Sequence, residues 1–304
     1  MNYPFVEILM TTYNGEAYIR NQLDSLLIQT YPHWRLTIHD DGSQDATLAI
    51  IDDYCRKDKR IILLDDGLVG LGTAKNYLHL MRQVDGEYYM FCDQDDIWFE
   101  DKIRKMLDAI RKYQQPAMVY SNSFLYINGK VTSQYSTIIH PSTVRDTLFF
   151  NSGIQGCSII MNDQLMRLLK PYPDTVVMHD HLITMAAASF GRIGYLAEGL
   201  MLYRQHALNV TGNQSVGYWH RIKSFFSGRK SVISKSHFDA NKAFYQQYHD
   251  LLSESTKTLY HAYFKYAYCT SVFGRLGILF KYGFTLGNRR WVLLLKTIIR
   301  KPIV

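Results

Sequence analysis

Apolar and polar segments alternate regularly over the first hundred residues of this 304-residue chain. Short apolar or β-branched runs predict buried strands, and apolar residues at helical spacing predict amphipathic helices. The predicted strands are Phe5–Met10, Trp34–His39, Arg60–Asp65 and Glu87–Cys92. The predicted helices between them are Glu16–Gln29, Asp45–Lys57 and Gly70–Gln83. This order predicts an α/β fold with a mainly parallel sheet that is covered by helices on both faces.

A polar cluster follows each of the four predicted strands. The clusters are Thr11–Asn14, Asp40–Ser43, Gly70–Asn76 and Asp93–Asp96. Parallel sheets bind ligands outside the carboxyl ends of their strands, so the four clusters together predict one ligand site at that edge. The glycines at 70 and 72 lack the spacing of a dinucleotide fingerprint and follow the third strand, which argues against an NAD site.

Three carboxylates, Asp93, Asp95 and Asp96, stand directly after the fourth predicted strand. Like charges so close together are costly to bury unless a cation or a proton offsets them. Carboxylate oxygens suit Mg²⁺ or Mn²⁺, and such a metal in turn holds a diphosphate. Taken alone, a short acidic cluster is more often a solvated turn. The three other polar loops at the same edge are what favours a metal site.

Four segments, in this order and spacing, resemble the family 2 inverting glycosyltransferases, which have the GT-A fold. They are Thr11-Thr-Tyr-Asn14, Asp40-Asp-Gly-Ser43, Gly72-Thr-Ala-Lys-Asn76 and Asp93-Gln-Asp95. The resemblance extends over residues 5–210 and implies a mixed, mainly parallel sheet flanked by helices, with a sugar nucleotide as donor. The segment Asp93-Gln-Asp-Asp-Ile-Trp98, with His179-Asp180 downstream, is similar to bacterial rhamnosyltransferases of polysaccharide assembly.

The resemblance implies a role for each matching position. It implies nucleotide-sugar contacts from Thr11, Tyr13, Asn14, Asp41, Lys75, Asn76, Asp93 and, further along the chain, Arg204. It implies that Asp95 is the principal metal ligand, assisted by Asp93, with Mn²⁺ or Mg²⁺ as the cofactor. The residue types agree, because short polar side chains suit a pyrimidine and a leaving diphosphate needs a divalent cation to spread its charge.

The candidate catalytic and acceptor-side groups lie downstream. Within 151–161 a loop with two glycines runs into an apolar strand, as a backbone close to a ligand requires. Asp180 precedes the apolar helix Leu182–Phe190. It is either a plain N-cap or, as its family position implies, the general base of a single inverting displacement. The residues expected on the acceptor side are Gln155, Gly156, Cys157 and His179.

Arg204 and His206 follow a further predicted strand, Leu200–Tyr203. Related enzymes carry a basic or histidine element here that closes over the diphosphate, so both residues are candidates to stabilise the leaving group. His206 is also a candidate metal ligand, and a surface loop with a hydrogen-bonded histidine is the alternative. Cys157 is expected to be a small buried residue rather than a nucleophile. The Gln-x-x-Arg-Trp motif of processive members is absent, which favours transfer of one sugar or a few.

Charge divides the chain into two parts. The net charge is +7, yet residues 215–304 hold 15 Lys and Arg against 3 Asp and Glu, whereas residues 1–214 hold 19 against 24. We therefore expect a catalytic domain over 1–214, with a nucleotide half over 1–100 and an acceptor half over 101–214. A basic, aromatic-rich helical extension is expected over 215–304, and the length of the chain suits such a division.

The extension ends in a short basic amphipathic segment, Asn288–Lys301, with Trp291 near its start. One interpretation is a membrane-surface element with cations at lipid headgroups. Another is a helical hairpin that packs on the catalytic domain or on a second copy of the chain, as in a homodimer. A nucleic-acid patch is disfavoured, because the acidic first part already has a different ligand.

Cysteine usage and hydropathy predict the compartment. Four cysteines without a pairing pattern indicate a reducing environment, and no signal peptide or apolar run of about 18 residues is recognised. We expect a cytoplasmic location at the inner face of the plasma membrane. The resemblance implies an enzyme that moves L-rhamnose from dTDP-rhamnose to a lipid-linked glycan. A UDP-hexose-dependent enzyme and an inactive nucleotide-sugar-binding scaffold are alternatives. A nucleotidyltransferase is disfavoured because the loop at Thr11–Gly15 lacks a basic residue.

Overall fold

The first part of the chain alternates strands with helices. The computed structural model describes residues 3–151, 153–206 and 231–303. The strands are β1 (Val6–Thr12), β2 (Trp34–Asp40), β3 (Ile61–Leu63) and β4 (Tyr88–Cys92), and the helices are α1 (Ile19–Leu27), α2 (Thr47–Lys57) and α3 (Thr73–Gln83). β1 pairs with β2 and β4, and β2 pairs with β3, all in parallel. The predicted strand-helix order and parallel pairing are confirmed.

Several boundaries differ from the prediction, and three of these shifts have identifiable reasons. β1 and β2 extend to Thr12 and Asp40. The Thr12 hydroxyl donates a hydrogen bond to the Asp40 carboxylate over 2.6 Å, so the polar side chains at the two strand ends are paired with each other. α3 begins after Gly72 rather than at Gly70. Both glycines have positive φ values, 72° and 73°, which a helix cannot contain.

The second part of the chain completes the sheet. Its elements are β5 (Ile97–Trp98), α4 (Lys102–Ile110), β6 (Ala117–Ile127), β7 (Lys130–Tyr135), α5 (Val144–Thr147), β8 (Ile159–Asn162), α6 (Asp163–Leu169), α7 (His179–Phe190) and β9 (Arg192–Gln205). The nine strands of the described residues follow the order β3-β2-β1-β4-β8-β6-β9-β5, with β7 beside β6. β8 is antiparallel to β4 and β6, whereas β6 and β9 are parallel. The sheet is therefore mixed beyond β4.

Helices cover both faces of this sheet. Val6, Ile8 and Met10 of β1 belong to one buried cluster, and Leu9 belongs to a second cluster on the opposite face. Alternate side chains of a strand point to opposite faces, so β1 contributes to both cores. The two-sided α/β architecture expected from the sequence is confirmed.

Four helices follow the sheet: α8 (Lys235–Tyr248), α9 (Glu254–Tyr268), α10 (Val272–Tyr282) and α11 (Arg290–Ile299). Phe149 of the acceptor half packs edge-on against Tyr263 and Tyr266 of α9, at centroid distances of 5.3 and 4.8 Å. The helical extension therefore shares a hydrophobic core with the acceptor half. The predicted division at residues 214 and 215 lies outside the described residues. No helix within the described residues is long and apolar enough to cross a membrane.

Candidate active site

A cleft of about 490 Å³ opens where the parallel strands end. Residues from β1, the loops after β1, β2, β4 and α5, the starts of α3 and α7, and the end of β9 all reach it. The predicted site residues that line it are Thr11, Tyr13, Asn14, Asp41, Asn76, Asp93, Asp95, Gln155, Gly156, His179, Asp180 and His206. The sheet edge thus brings together side chains that are far apart in the sequence, as the strand-end argument requires.

Three predicted site residues do not line the cleft. Lys75 is exposed on α3, and Cys157 is buried beneath the site. Burial raises the pKa of the Cys157 thiol well above its ordinary value, so this cysteine is an uncharged packing residue. Arg204 lies behind the acidic segment, where its Nε donates to the Asp95 carbonyl over 2.7 Å. Its backbone N–H donates to Asp96 over 3.1 Å.

Sequence reasoning missed two residues that shape the cleft. The ring of Tyr18 lies 4.6 Å from the His206 ring and 4.8 Å from the Arg204 guanidinium carbon. Gln94 accepts a hydrogen bond from the Tyr13 N–H and donates one to the Tyr13 carbonyl, both over 3.0 Å. Gln94 lies between the two predicted metal ligands Asp93 and Asp95, so its place in the sequence could have identified it as a site residue. Tyr18 stands in an ordinary helical pattern and carries no signal of its own.

Two aspartates organise the loop after β2. The Asp40 carboxylate accepts hydrogen bonds from the Ser43 hydroxyl over 2.6 Å and from the Ser43 N–H over 2.7 Å, and so closes the turn. The Asp41 carboxylate accepts from the N–H groups of Leu71 and Gly72, over 2.7 and 2.8 Å. Asp41 therefore joins two cleft loops while its side chain faces the cleft.

The acidic segment after β4 divides into a buried and an open part. Asp96 is fully buried, and Asp93 accepts a hydrogen bond from the Tyr77 hydroxyl over 3.0 Å. Burial, reinforced by neighbouring carboxylates, raises the pKa of both groups. Lys102 of α4 is buried below them, and its Nζ donates to the Cys157 carbonyl over 2.6 Å. One buried cation thus underlies the carboxylates.

The open part of this segment pairs Asp95 with His206. Oδ2 of Asp95 lies 2.7 Å from Nε2 of His206, and both side chains are about one-sixth exposed at the cleft. A carboxylate oxygen and an imidazole nitrogen are donors that Mn²⁺ accepts. Among the described residues, Asp93, Asp96 and Cys157 also cluster with ligand atoms within 4.8 Å. That cluster suits a hard cation less well, because its thiol keeps its proton.

Asp180 faces the same cleft from the first turn of α7. Met178 occupies the N-cap position of that helix, so Asp180 is not the cap considered from the sequence. Burial raises the pKa of Asp180 to about 7, and the charge of Asp93 adds to the effect. A Cβ at position 153 would lie 2.6 Å from the Asp180 carboxylate, so glycine there allows the loop to approach it. A carboxylate of this pKa is suited to accept a proton at neutral pH.

His179 lines the cleft beside Asp180 but is itself 4% exposed. Its ring lies 3.9 Å from the ring of Tyr77, and burial lowers its pKa to about 3. The imidazole is therefore neutral, and it shapes the wall of the cleft without adding charge.

Comparison with known proteins assigns this architecture to a class. The model of glycosyl transferase family 2 matches residues 7–168, more than half of the chain. The chain belongs to this family, and it is a glycosyltransferase.

Named relatives resemble the chain over much of its length. The dTDP-rhamnosyl transferase RfbG of Shigella flexneri is 29% identical over 67% of this chain and 73% of its own length. WfgD of Escherichia coli is named a UDP-Glc:alpha-D-GlcNAc-diphosphoundecaprenol beta-1,3-glucosyltransferase. It is 30% identical over 55% of this chain and 62% of its own length.

Solved structures confirm the expected GT-A fold. TarS 1–349 of S. aureus, in complex with UDP-GlcNAc, has a TM-score of 0.60 at 19% identity, covering 91% of this chain and 73% of that one. The longer TarS chain is covered over 43% of its length. The mannosyltransferase PcManGT of Pyrobaculum calidifontis, with GDP-Man and Mn²⁺, has a TM-score of 0.51 at 14% identity, covering 98% of this chain and 87% of that one.

Proposed function

We propose that this chain is a metal-dependent inverting glycosyltransferase whose catalytic base is Asp180. The observation that carries the proposal is that a carboxylate with a pKa of about 7 and an Asp95–His206 pair face one cleft. One group suits proton abstraction and the other suits a cation beside a diphosphate.

The first half of the cleft is proposed to hold the donor. Thr11, Tyr13 and Asn76 offer short polar groups to the nucleoside, and Asp41 keeps two loops in place around it. Asp95 and His206 would hold Mn²⁺ or Mg²⁺, which supplies positive charge to the leaving diphosphate. Mn²⁺ in the PcManGT structure supports a divalent ion in this fold.

Asp180 performs the proton step of the proposed reaction. It takes the proton of the acceptor hydroxyl while that oxygen attacks the anomeric carbon and the bond to the diphosphate breaks. A single displacement inverts the configuration and needs no covalent enzyme intermediate. Arg204 supports the step indirectly, because it holds the Asp95 backbone over 2.7 Å.

The proposed donor is dTDP-L-rhamnose. RfbG, named a dTDP-rhamnosyl transferase, supports this choice, because it is 29% identical to this chain over 67% of its residues. A UDP-hexose is the alternative, because WfgD is named a UDP-glucose enzyme and TarS was solved with UDP-GlcNAc. An inactive scaffold is the third candidate. The scaffold is disfavoured because the cleft holds both a candidate base, Asp180, and a candidate metal-binding pair, Asp95 and His206.

The proposed acceptor is a lipid-linked glycan of a cell-surface polysaccharide, as the name of WfgD suggests for that protein. We define the C-terminal apolar patch by five exposed residues of α10 and α11: Phe273, Phe280, Trp291, Leu295 and Ile298. Arg290 lies over the Phe280 ring at 4.8 Å, so cations border the patch. Exposed apolar rings beside basic residues suit the surface of an anionic bilayer at the inner face of the plasma membrane. A homodimer through the same helices is the alternative.

A thermal-shift panel tests the proposal. The parent chain is measured with dTDP, UDP, GDP and CDP, each with and without Mn²⁺, because ligand binding raises the unfolding midpoint. A metal-dependent shift with dTDP supports the rhamnosyl donor, and one with UDP moves the donor to a hexose. No shift with any nucleotide would contradict the proposed donor site and the nucleotide-sugar-binding scaffold alike.

The same panel tests the metal ligand. Asp95→Ala removes a carboxylate oxygen, so the Mn²⁺-dependent part of the nucleotide shift should disappear. Asp108→Ala, an exposed change on α4 outside the cleft, is the matched control and should behave as the parent chain does. An unchanged Mn²⁺ response in Asp95→Ala would remove Asp95 from the proposed metal site.

A further inference from the structure

Two histidines and an aspartate form a hydrogen-bonded group behind the donor side of the cleft. Nε2 of His39 lies 3.3 Å from Oδ1 of Asp66, and Nε2 of His79 lies 2.5 Å from Oδ2 of the same carboxylate. His39 is the penultimate residue of β2, Asp66 follows β3, and His79 lies on α3. The group therefore joins three consecutive elements of the nucleotide half, and neither the sequence motifs nor the proposed mechanism uses it.

This group reaches the cleft through one side chain, Asn76. Nδ1 of His39 lies 2.7 Å from Oδ1 of Asn76, and both residues are 1% exposed. Asn76 and His79 are three residues apart on α3, so they share a face of that helix. Asn76 itself lines the cleft.

The hydrogen bond to His39 fixes the orientation of the Asn76 amide. One end of the amide is held at Nδ1 of His39 over 2.7 Å, so the other end is directed away from the histidine. Asp66 holds the second ring nitrogen of His39 and thereby fixes the plane of the imidazole.

We propose that His39, Asp66 and His79 are positioning residues that hold the side-chain amide of Asn76 in the orientation in which it meets the donor nucleotide. His79 does not contact Asn76 in this chain of hydrogen bonds. It acts through Asp66, because it binds the second oxygen of that carboxylate and orients it. The inference rests on the proposed donor site. It adds a determinant of nucleotide affinity that lies outside the cleft wall.

A double-mutant cycle measured by calorimetry tests the positioning role. The probes are dTDP and UDP, each with Mn²⁺, on the full chain. Asp66→Asn removes the charge and keeps the shape, and should weaken binding roughly three- to tenfold, as expected for one lost hydrogen bond. Asn76→Ala should weaken it to a similar extent. Asp66→Asn added to Asn76→Ala should cause no further loss, because the first residue acts only through the second.

Neighbouring variants separate positioning from a general structural effect. Asp65→Asn, an exposed carboxylate next in sequence, is the matched control and should bind as the parent does. His79→Gln keeps an N–H donor for Asp66 and should retain affinity, whereas His79→Phe should lose it. The thermal unfolding midpoint of each variant shows that the chain is folded, and the His79 pair replaces Asp66→Asn if that variant does not fold.

Each outcome decides the matter. Unchanged affinity in Asp66→Asn, or losses that add in the double variant, would overturn the positioning role while the donor site stands. Absence of binding by the parent chain to both nucleotides would instead overturn the proposed donor site, and the positioning role with it.

Discussion

At the scale of single residues, environment gives similar carboxylates different roles. Asp180 is half-buried against a loop, and burial raises its pKa to about 7. Asp95 instead meets an imidazole at the open cleft. The half-buried carboxylate with the raised pKa is suited to proton transfer, whereas the carboxylate beside an imidazole at the open cleft is suited to cation binding.

Asp180→Asn tests the assignment of the base. Asparagine keeps the size of the side chain but cannot take the acceptor proton, so turnover should fall by roughly 10²- to 10⁴-fold. Calorimetry should show nucleotide affinity within about twofold of the parent, because the base does not hold the leaving group. Asp174→Asn, an exposed change ahead of α7, should leave turnover unaltered. Retained turnover in Asp180→Asn refutes the assignment.

The same variant has a predicted stability signature. The pKa of Asp180 in the folded chain, about 7, exceeds the value of about 3.9 for an unfolded aspartate. The folded state therefore binds more protons between these values, and stability falls as pH rises from about 4 to about 7. Asp180→Asn removes this cost, so denaturant unfolding at about pH 8 should show a variant at least as stable as the parent. A clear loss of stability would mean that the ionised carboxylate is held by favourable contacts.

The pH dependence of turnover follows from the same group. The base acts only when ionised, so turnover at saturating donor should fall about tenfold per unit as pH drops below about 7. Above that value a plateau is expected until another group titrates. Initial rates are measured across this pH range, and donor affinity is measured at each pH. The two measurements separate protonation of the base from weaker donor binding. A turnover that stays constant as the pH drops below about 7 would contradict the assignment of Asp180 as the base.

At the scale of elements, periodicity was a good guide where side chains alternate or repeat. The four parallel strands and their helices were predictable because β1 to β4 are buried apolar runs ending in polar turns. The start of α3 was not, since it depends on glycines with positive φ values. Of the long strand β9, only the segment Leu200–Tyr203 was predicted, because exposed residues such as Glu198 interrupt the apolar pattern before it.

The site was predictable only where a motif carried it. Asp95 and Asp180 stand at recognisable positions, but Tyr18 enters the cleft through tertiary folding alone. Lys102 is the sharper case. A lysine in an amphipathic helix is expected on the surface, yet it lies fully buried at 3.7 Å from the Trp98 ring centroid. Nothing local in the sequence distinguishes it from Lys105, which is 39% exposed on the same helix.

Lys102→Met tests whether α4 supports the acidic segment. Methionine fits the space but removes the donor to the Cys157 carbonyl and the buried cation beneath Asp96, so stability should fall by about 3 kcal/mol. Lys105→Met is the matched control, and loss of its exposed ion pairs should cost about 1 kcal/mol or less. Urea unfolding of both variants gives the comparison. Equal stability of the two would show that the buried lysine is replaceable by apolar packing.

At the scale of the whole molecule, the helical extension is part of the enzyme's core and also carries the two most exposed large apolar residues among those the structure describes. Tyr260, Tyr263 and Tyr266 are buried against the acceptor half, whereas Phe273 and Trp291 are 86% and 82% exposed. The extension is thus packed on one side and apolar on the other. In the proposed membrane-bound state, its exposed side would determine how the cleft faces a lipid-linked acceptor.

The membrane proposal predicts a defined loss of binding. Phe273→Ser combined with Trp291→Ser removes two exposed rings, so sedimentation with phosphatidylglycerol vesicles should show affinity at least tenfold weaker than the parent. Folding should be unaffected, because exposed side chains contribute little to stability. Val131→Ser on β7, 56% exposed, is the matched control and should bind as the parent does. If the double variant changes the oligomeric state in gel filtration while vesicle binding persists, the patch joins two copies of the chain instead.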